Sequence, residues 1–131
     1  WGAHIMLHSP GDESTVGRLS YVECALCGQA FNLGRYPIHF HMIGAVRNSY
    51  VRGCAVHRSF NRAFTIHGVH HLRVLHNVAY DVMGHAFFIE DAAETHNRVE
   101  GNLGLVTRAS SSLLDTDTTP ATFWITHPTN Y

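Results

Sequence analysis

Charge is scarce in this chain. Only 15% of its 131 residues are Asp, Glu, Lys or Arg, and the formal net charge is −1. With a pI near 6.9, that balance excludes a broad surface for nucleic acid or anionic membrane. No apolar run approaches the roughly 20 residues of a membrane span, so no membrane span is expected in this segment. No Asn-x-Ser/Thr sequon occurs, and the one Cys-x-x-Cys, Cys24 to Cys27, lacks the second pair that a structural zinc site needs. The opening Trp1-Gly2-Ala3 carries no signal-peptide pattern. Apolar residues, by contrast, make up 45% of the chain, enough for one core in a single domain.

That apolar material is periodic. In Tyr36-Pro37-Ile38-His39-Phe40-His41-Met42 the large apolar residues alternate with imidazoles. Successive side chains of a strand point to opposite faces, so Ile38 and Phe40 go to one side and His39 and His41 to the other. The pattern returns at Ile5 to Ser9, Phe64 to Gly68, Phe87 to Asp91 and Phe123 to His127. In all five strings the first and third positions are large and apolar. The step from His41 to His67 is 26 residues and from His67 to Glu90 is 23, with longer outer steps of 33 and 36. Strand-like alternation repeating at such a period predicts stacked supersecondary units. The expected fold is all-β, a right-handed parallel β-helix of about five coils spanning residues 1–131.

A second string repeats behind the first. Val51 to Val56, Val74 to Ala79 and Val99 to Gly104 align without gaps, and Val22 to Leu26 joins them if one residue is dropped. Cys54, Asn77 and Asn102 are then expected to stack at a bend, where Asn tolerates unusual backbone angles and hydrogen-bonds along the stack. Cys24 falls in the same column as Cys54, which reads as small buried residues in a stack. A Cys24–Cys54 cross-link is open to the chain in an oxidising compartment.

Two turn-rich stretches interrupt the repeat, residues 9–20 and 107–122, and are expected to be loop insertions. Loops on rigid scaffolds often carry binding, although a plain surface loop is the commoner case. Solenoids need atypical capping repeats, and core-type strands lie close to both ends here. The segment is therefore expected to be uncapped and part of a longer chain.

Twelve histidines stand out. On the strand map one outward column reads His8, His41, His67, Glu90, Thr126, and its neighbour reads Met6, His39, Thr65, Phe88, Trp124. Stacked strands lie about 4.8 Å apart, so His41, His67 and Glu90 form a contiguous ladder with His39 beside it. Two imidazoles and a carboxylate at that spacing suit a divalent transition metal, with His41, His67 and Glu90 as the expected ligands. His39, His41, His67, Glu90 and Asp91 equally suit acid and base work on a glycosidic bond. A ladder of histidines bonded to one another and to backbone is the plainer alternative. Phe88 and Trp124, pointing outward beside polar columns, are expected to stack on sugar rings, with the charged side chains of Arg35, Arg62, Glu90, Asp91 and Glu94 near the same face. His85 and His96 flank the Glu90-Asp91 strand end.

Four ordered motifs carry a resemblance: Gly34 to His41, Ser49 to His57, Asn61 to His67 and Gly84 to Asp91. Together they resemble the β-helix region shared by fibrocystin, fibrocystin-L and the cell-surface and cell-migration-inducing hyaluronidases, with Gly-Arg-Tyr-Pro-Ile-His and Ala-Phe-Phe-Ile-Glu-Asp closest to the fibrocystin branch. The resemblance implies a large extracellular or cell-surface protein, ciliary in the fibrocystin branch, whose partners are extracellular polysaccharide or glycoprotein and further domains of its own chain. The histidine and Glu-Asp positions are common to both branches and do not choose between them. Two functions stand as expectations: a structural scaffold with glycan recognition, and a hyaluronan-type cleaving enzyme assisted by a metal.

Overall fold

A computed structural model describes all 131 residues, Trp1–Tyr131. The chain winds through three parallel sheets, one strand to each per coil. The first coil supplies β1 (Ile5–His8), β2 (Arg18–Ser20) and β3 (Glu23–Ala25). The second supplies β4 (Ile38–Ala45), β5 (Tyr50–Arg52) and β6 (Ala55–Ser59). The third supplies β7 (Phe64–His70), β8 (Arg73–Leu75) and β9 (Val78–Met83), and the fourth β10 (Phe87–Ile89), β11 (Arg98–Glu100) and β12 (Leu103–Arg108). β13 (Phe123–Trp124) opens a fifth coil. The sheets order as β1-β4-β7-β10-β13, β2-β5-β8-β11 and β3-β6-β9-β12. The parallel β-helix expected from the repeat is the fold of the chain.

The register of the first sheet follows the alternation. Ile5, Ile38, Phe64, Phe87 and Phe123 pair in one column, and Leu7, Phe40, Ile66 and Ile89 in another. Both columns point inward, where each buried Ile or Phe contributes roughly 1.5–3 kcal/mol. Phe64 and Phe87 stack face to face at 4.8 Å. Val51 and Val74 from the second sheet and Val56, Ala79 and Val82 from the third complete the interior. At the last coil Phe123, Trp124 and Ile125 remain exposed, so this strand is shorter and less buried than its sequence suggests.

The asparagine ladder forms at the bend between second and third sheets. Asn77 Oδ1 accepts from the Cys54 backbone N–H at 2.9 Å, and Asn102 Oδ1 accepts from the Asn77 N–H at 2.9 Å. Asn77 Nδ2 donates to the Val51 carbonyl at 3.1 Å. The unusual backbone angle lies one residue earlier, however, with Tyr21, Gly53, His76 and Gly101 all at φ between 54° and 64°. A second ladder, Leu72, Asn97 and Asn130, ties the bend between first and second sheets in the same way. Asn77→Ala should lower stability by roughly 2 kcal/mol, because two buried backbone groups lose their partners. A urea midpoint equivalent to the parent's would refute the ladder's role.

Three expectations need correction. Cys24 pairs with Val56 rather than Cys54, because Leu19, not Val22, takes the inward place beside Val51. Cys24 is disulfide-bonded to Cys27, and Cys54 is a buried free thiol. The insertion at 9–20 ends in β2, leaving 9–17 as loop. The insertion at 107–122 begins inside β12, holds a 3₁₀ turn at Asp115–Thr118 and returns to the scaffold with Asp117 buried. No helix of the chain is long and apolar enough to cross a membrane.

Candidate functional site

The outward columns of the first sheet pair as the alternation requires: Met6 with His39, His39 with Thr65, Thr65 with Phe88 and Phe88 with Trp124. Beside them His8 pairs with His41 and His41 with His67, and Glu90 follows the end of β10. Ring centroids of His8 and His41, of His39 and His41, and of His41 and His67 all lie 4.9 Å apart. Four imidazoles thus converge on one patch of the sheet.

Their ring nitrogens are individually directed. His39 is 1% exposed, and its Nδ1 lies 2.9 Å from the Gly34 carbonyl oxygen. A carbonyl only accepts, so Nδ1 carries the proton and Nε2 keeps a lone pair that meets no partner. Burial is the main cause that lowers the His39 pKa to about 4, so the ring stays neutral at physiological pH. His67 Nε2 donates to Asp91 Oδ2 at 2.8 Å, which turns Nδ1 toward the cluster, 3.8 Å from Glu90 Oε2. Burial, then the neighbouring His67 and His8, lowers the pKa of His41.

Donor atoms of His39, His41 and His67 lie within 4.8 Å of one another. That set differs from the expected His41, His67 and Glu90. His39 takes the place of the carboxylate because its strand neighbour positions it beside both rings, while Glu90 Oε2 faces the Arg62 guanidinium at 3.6 Å. Imidazoles whose remote N–H groups are held by a carbonyl and a carboxylate are the arrangement that favours metal ligation. Asp91 therefore orients the His67 ring.

Behind the histidines lies a buried charged layer: Arg62, expected near this face, is buried there with Asp117, which the sequence did not place. Arg62 is fully buried between the rings of Tyr36 and Phe88, 4.5 and 4.3 Å from their centroids. Its Nε and Nη2 donate to both oxygens of Asp117 at 3.1 and 3.0 Å. Burial by itself would lower the Arg62 pKa, but Asp117, Tyr36 and Glu90 outweigh it and raise it. His85, also fully buried, stacks on Phe88 at 4.4 Å and accepts from the Ala121 N–H through Nδ1. Gly84 permits this approach, since a Cβ there would lie 2.8 Å from Asp117 Oδ1. Burial raises the Glu90 carboxyl pKa, with Arg62 and His67 opposing.

This layer changes the expected sugar platform. Phe88 points outward from the sheet yet is buried, because Arg62 and His85 cover its two sides. Trp124 is 36% exposed at the edge and leans on His85 at 5.2 Å. Arg35 is exposed and contacts His4 through Nη1 at 2.9 Å, away from the ladder's hydrogen bonds. Of the expected site residues, the structure unites His39, His41, His67, Glu90 and Asp91, and sets Arg35 apart. Arg62 sits in the motif Asn61-Arg62-Ala63-Phe64, where a charge immediately before a core strand is a readable signal. Asp117 lies in a Ser/Thr/Asp loop and has no such signal.

The sequence profile of the CEMIP beta-helix family matches residues 1–119. Fibrocystin-L of Mus musculus is 52% identical over 133 residues and that of Homo sapiens 51%, each covering 99% of this chain and 3% of the relative. The cell surface hyaluronidase CEMIP2 of Homo sapiens is 37% identical over 162 residues, 99% of this chain and 11% of the relative. The chain thus spans a small part of the curated relatives it matches.

Proposed function

This chain belongs to the CEMIP β-helix family, and from that footing we propose that it is a rigid scaffold segment of a fibrocystin-like protein that recognises extracellular polysaccharide or glycoprotein at its histidine face. The cell surface is its place in this reading, with a ciliary surface as the finer assignment. The Cys24–Cys27 disulfide supports an oxidising compartment. His39, His41 and His67 hold a divalent transition metal. The observation that carries this is the buried, partnerless Nε2 of His39, directed beside two further imidazoles. An unsatisfied buried nitrogen costs stability, and a cation is the partner that three imidazoles can share.

When bound, the metal would supply a Lewis acid that polarises a ligand oxygen. Gly34 and Asp91 hold the rings of His39 and His67 in register. A groove of about 510 Å³, lined by His8, Ser9, Met42, Gly44, Gly68 and His70 among others, adjoins the ladder and has room for a sugar chain. A second reading, cleavage of a hyaluronan-type polymer, is favoured by Glu90. Its carboxyl stands beside His67 with a pKa raised by burial, the direction that a general acid requires.

Metal analysis of the purified intact protein tests the first reading. Stoichiometric metal is expected in the parent and its loss in His41→Gln/His67→Gln. Chelation should lower stability by about 2.7 kcal/mol if free metal stood near 100 times Kd. Metal content unchanged in a folded double variant would refute the site. Incubation with hyaluronan, with and without chelator, then separates the readings: shortening that chelator abolishes supports cleavage, and intact polymer supports recognition alone.

A further inference from the structure

All nine of the chain's Lys and Arg residues are arginine, and their placement is uneven. In the second sheet, away from the histidine face, the register puts Arg18, Tyr50, Arg73 and Arg98 in one column. At the neighbouring corner Arg47 Nη1 donates to His71 Nδ1 at 3.1 Å, and His71 stacks on His96 with centroids 4.9 Å apart and planes 18° from parallel. The two columns border a groove of about 260 Å³ lined by Arg47, His71, Arg73, His96, Arg98 and Tyr131. Three guanidiniums and two imidazoles therefore face one channel.

Two of the three guanidiniums have no counter-charge of their own. Arg98 is paired with Glu100 through Nε at 2.5 Å and through Nη2, whereas Arg47 and Arg73 form no ion pair. Arg73 contacts only an aromatic face, with its guanidinium carbon 5.7 Å from the Tyr50 ring. The overall net charge of −1 shows that this cationic stripe is local. It is one side chain wide on each border and runs along the solenoid axis, with Arg47, Arg73 and Arg98 in three successive coils about 4.8 Å apart and Tyr50 interrupting the arginine column. That shape suits a single linear polyanion lying lengthwise rather than a duplex or a flat membrane.

We infer that the channel between the Arg47-His71-His96 corner and the Arg73-Arg98 column binds a sulfated polysaccharide. Guanidinium groups bind sulfate and carboxylate oxygens through paired, geometrically matched hydrogen bonds. A polymer with one carboxylate for every two sugars spaces its charges more widely than the coil repeat. A sulfated chain, with several anionic groups in the same length, meets each cation in turn. The relatives' cell-surface setting supplies such polymers, and the inference stands whether or not the histidine face holds metal.

Affinity of the intact protein for a fully sulfated heparin oligosaccharide, measured across a salt series, provides the test. Arg47→Gln/Arg73→Gln should weaken binding by about tenfold or more and make the salt dependence shallower by roughly one counterion per arginine. Both residues are exposed, so folding should survive, and His41→Gln/His67→Gln should bind heparin as the parent does. Unchanged affinity in the arginine variant would overturn the site. Unsulfated hyaluronan bound as tightly as heparin, or single-stranded DNA lost equally with the arginines, would overturn the sulfated-chain assignment.

Discussion

Arg62→Ala is expected to destabilise the protein by about 3–5 kcal/mol, the loss typical when one partner of a buried pair is removed. Arg62 is inaccessible, and Asp117, its bidentate partner, is 1% exposed. Without the guanidinium, the Asp117 carboxylate keeps only His85 Nε2, 3.9 Å away, and Glu90 loses its nearest cation. The space between Tyr36 and Phe88 also empties, so a cavity adds to the charge penalty. Arg62→Lys should rescue little, because an ammonium cannot span both Asp117 oxygens or stack between two rings. Paired replacement, Arg62→Met with Asp117→Leu, should recover much of the loss by removing both charges together. Urea unfolding of the four proteins decides: an Arg62→Ala loss below about 1 kcal/mol would mean that the pair is solvated and not part of a sealed layer.

Stability of the metal-free protein should fall as pH drops from 6.5 to about 4. His39 has a folded-state pKa lowered from 6.5 to about 4 by burial. Between those values the unfolded chain binds a proton that the folded chain refuses. The contribution is therefore fully present above 6.5, declines with pH and is gone below about 4. The gap corresponds to roughly 3 kcal/mol at its full extent. The lowered pKa of His41 acts in the same direction. His39→Gln, whose amide can still donate toward Gly34, should flatten the profile. Bound metal should steepen it, since protons and metal compete for the same nitrogen lone pairs. Denaturant midpoints measured in steps from pH 7 to 4.5 provide the check, and equal slopes in parent and His39→Gln would remove His39 as the cause.

The strand columns were legible in the sequence because a parallel β-helix repeats two local rules. Alternation sends Ile38 and Phe40 inward and His39 and His41 outward, and the coil repeat stacks each residue on its equivalent. Those rules placed His8, His41 and His67 on one line and anticipated the Cys54-Asn77-Asn102 ladder. They failed where one residue shifts the phase. Leu19 rather than Val22 takes the inward place in β2, so Cys24 moves off the Cys54 column and bonds Cys27.

By itself, then, the sequence determined the fold class, the faces of the core pair and its outward neighbours in the first sheet and the convergence of the histidines, because strand alternation and stacking are short-range and periodic; past His41 a register shift breaks the alternation, exposing Met42 and burying Ile43. Tertiary structure alone decided what covers that face. Asp117 reaches Arg62 across 55 positions of sequence from a loop with no period, and the pair seals Phe88 beneath it. Pointing outward from a strand is a local property, whereas being exposed depends on whichever distant segment packs above. For the same reason the burial of His39, whose Nε2 meets no partner, and the facing of Glu90 toward Arg62 at 3.6 Å became visible only in the folded chain.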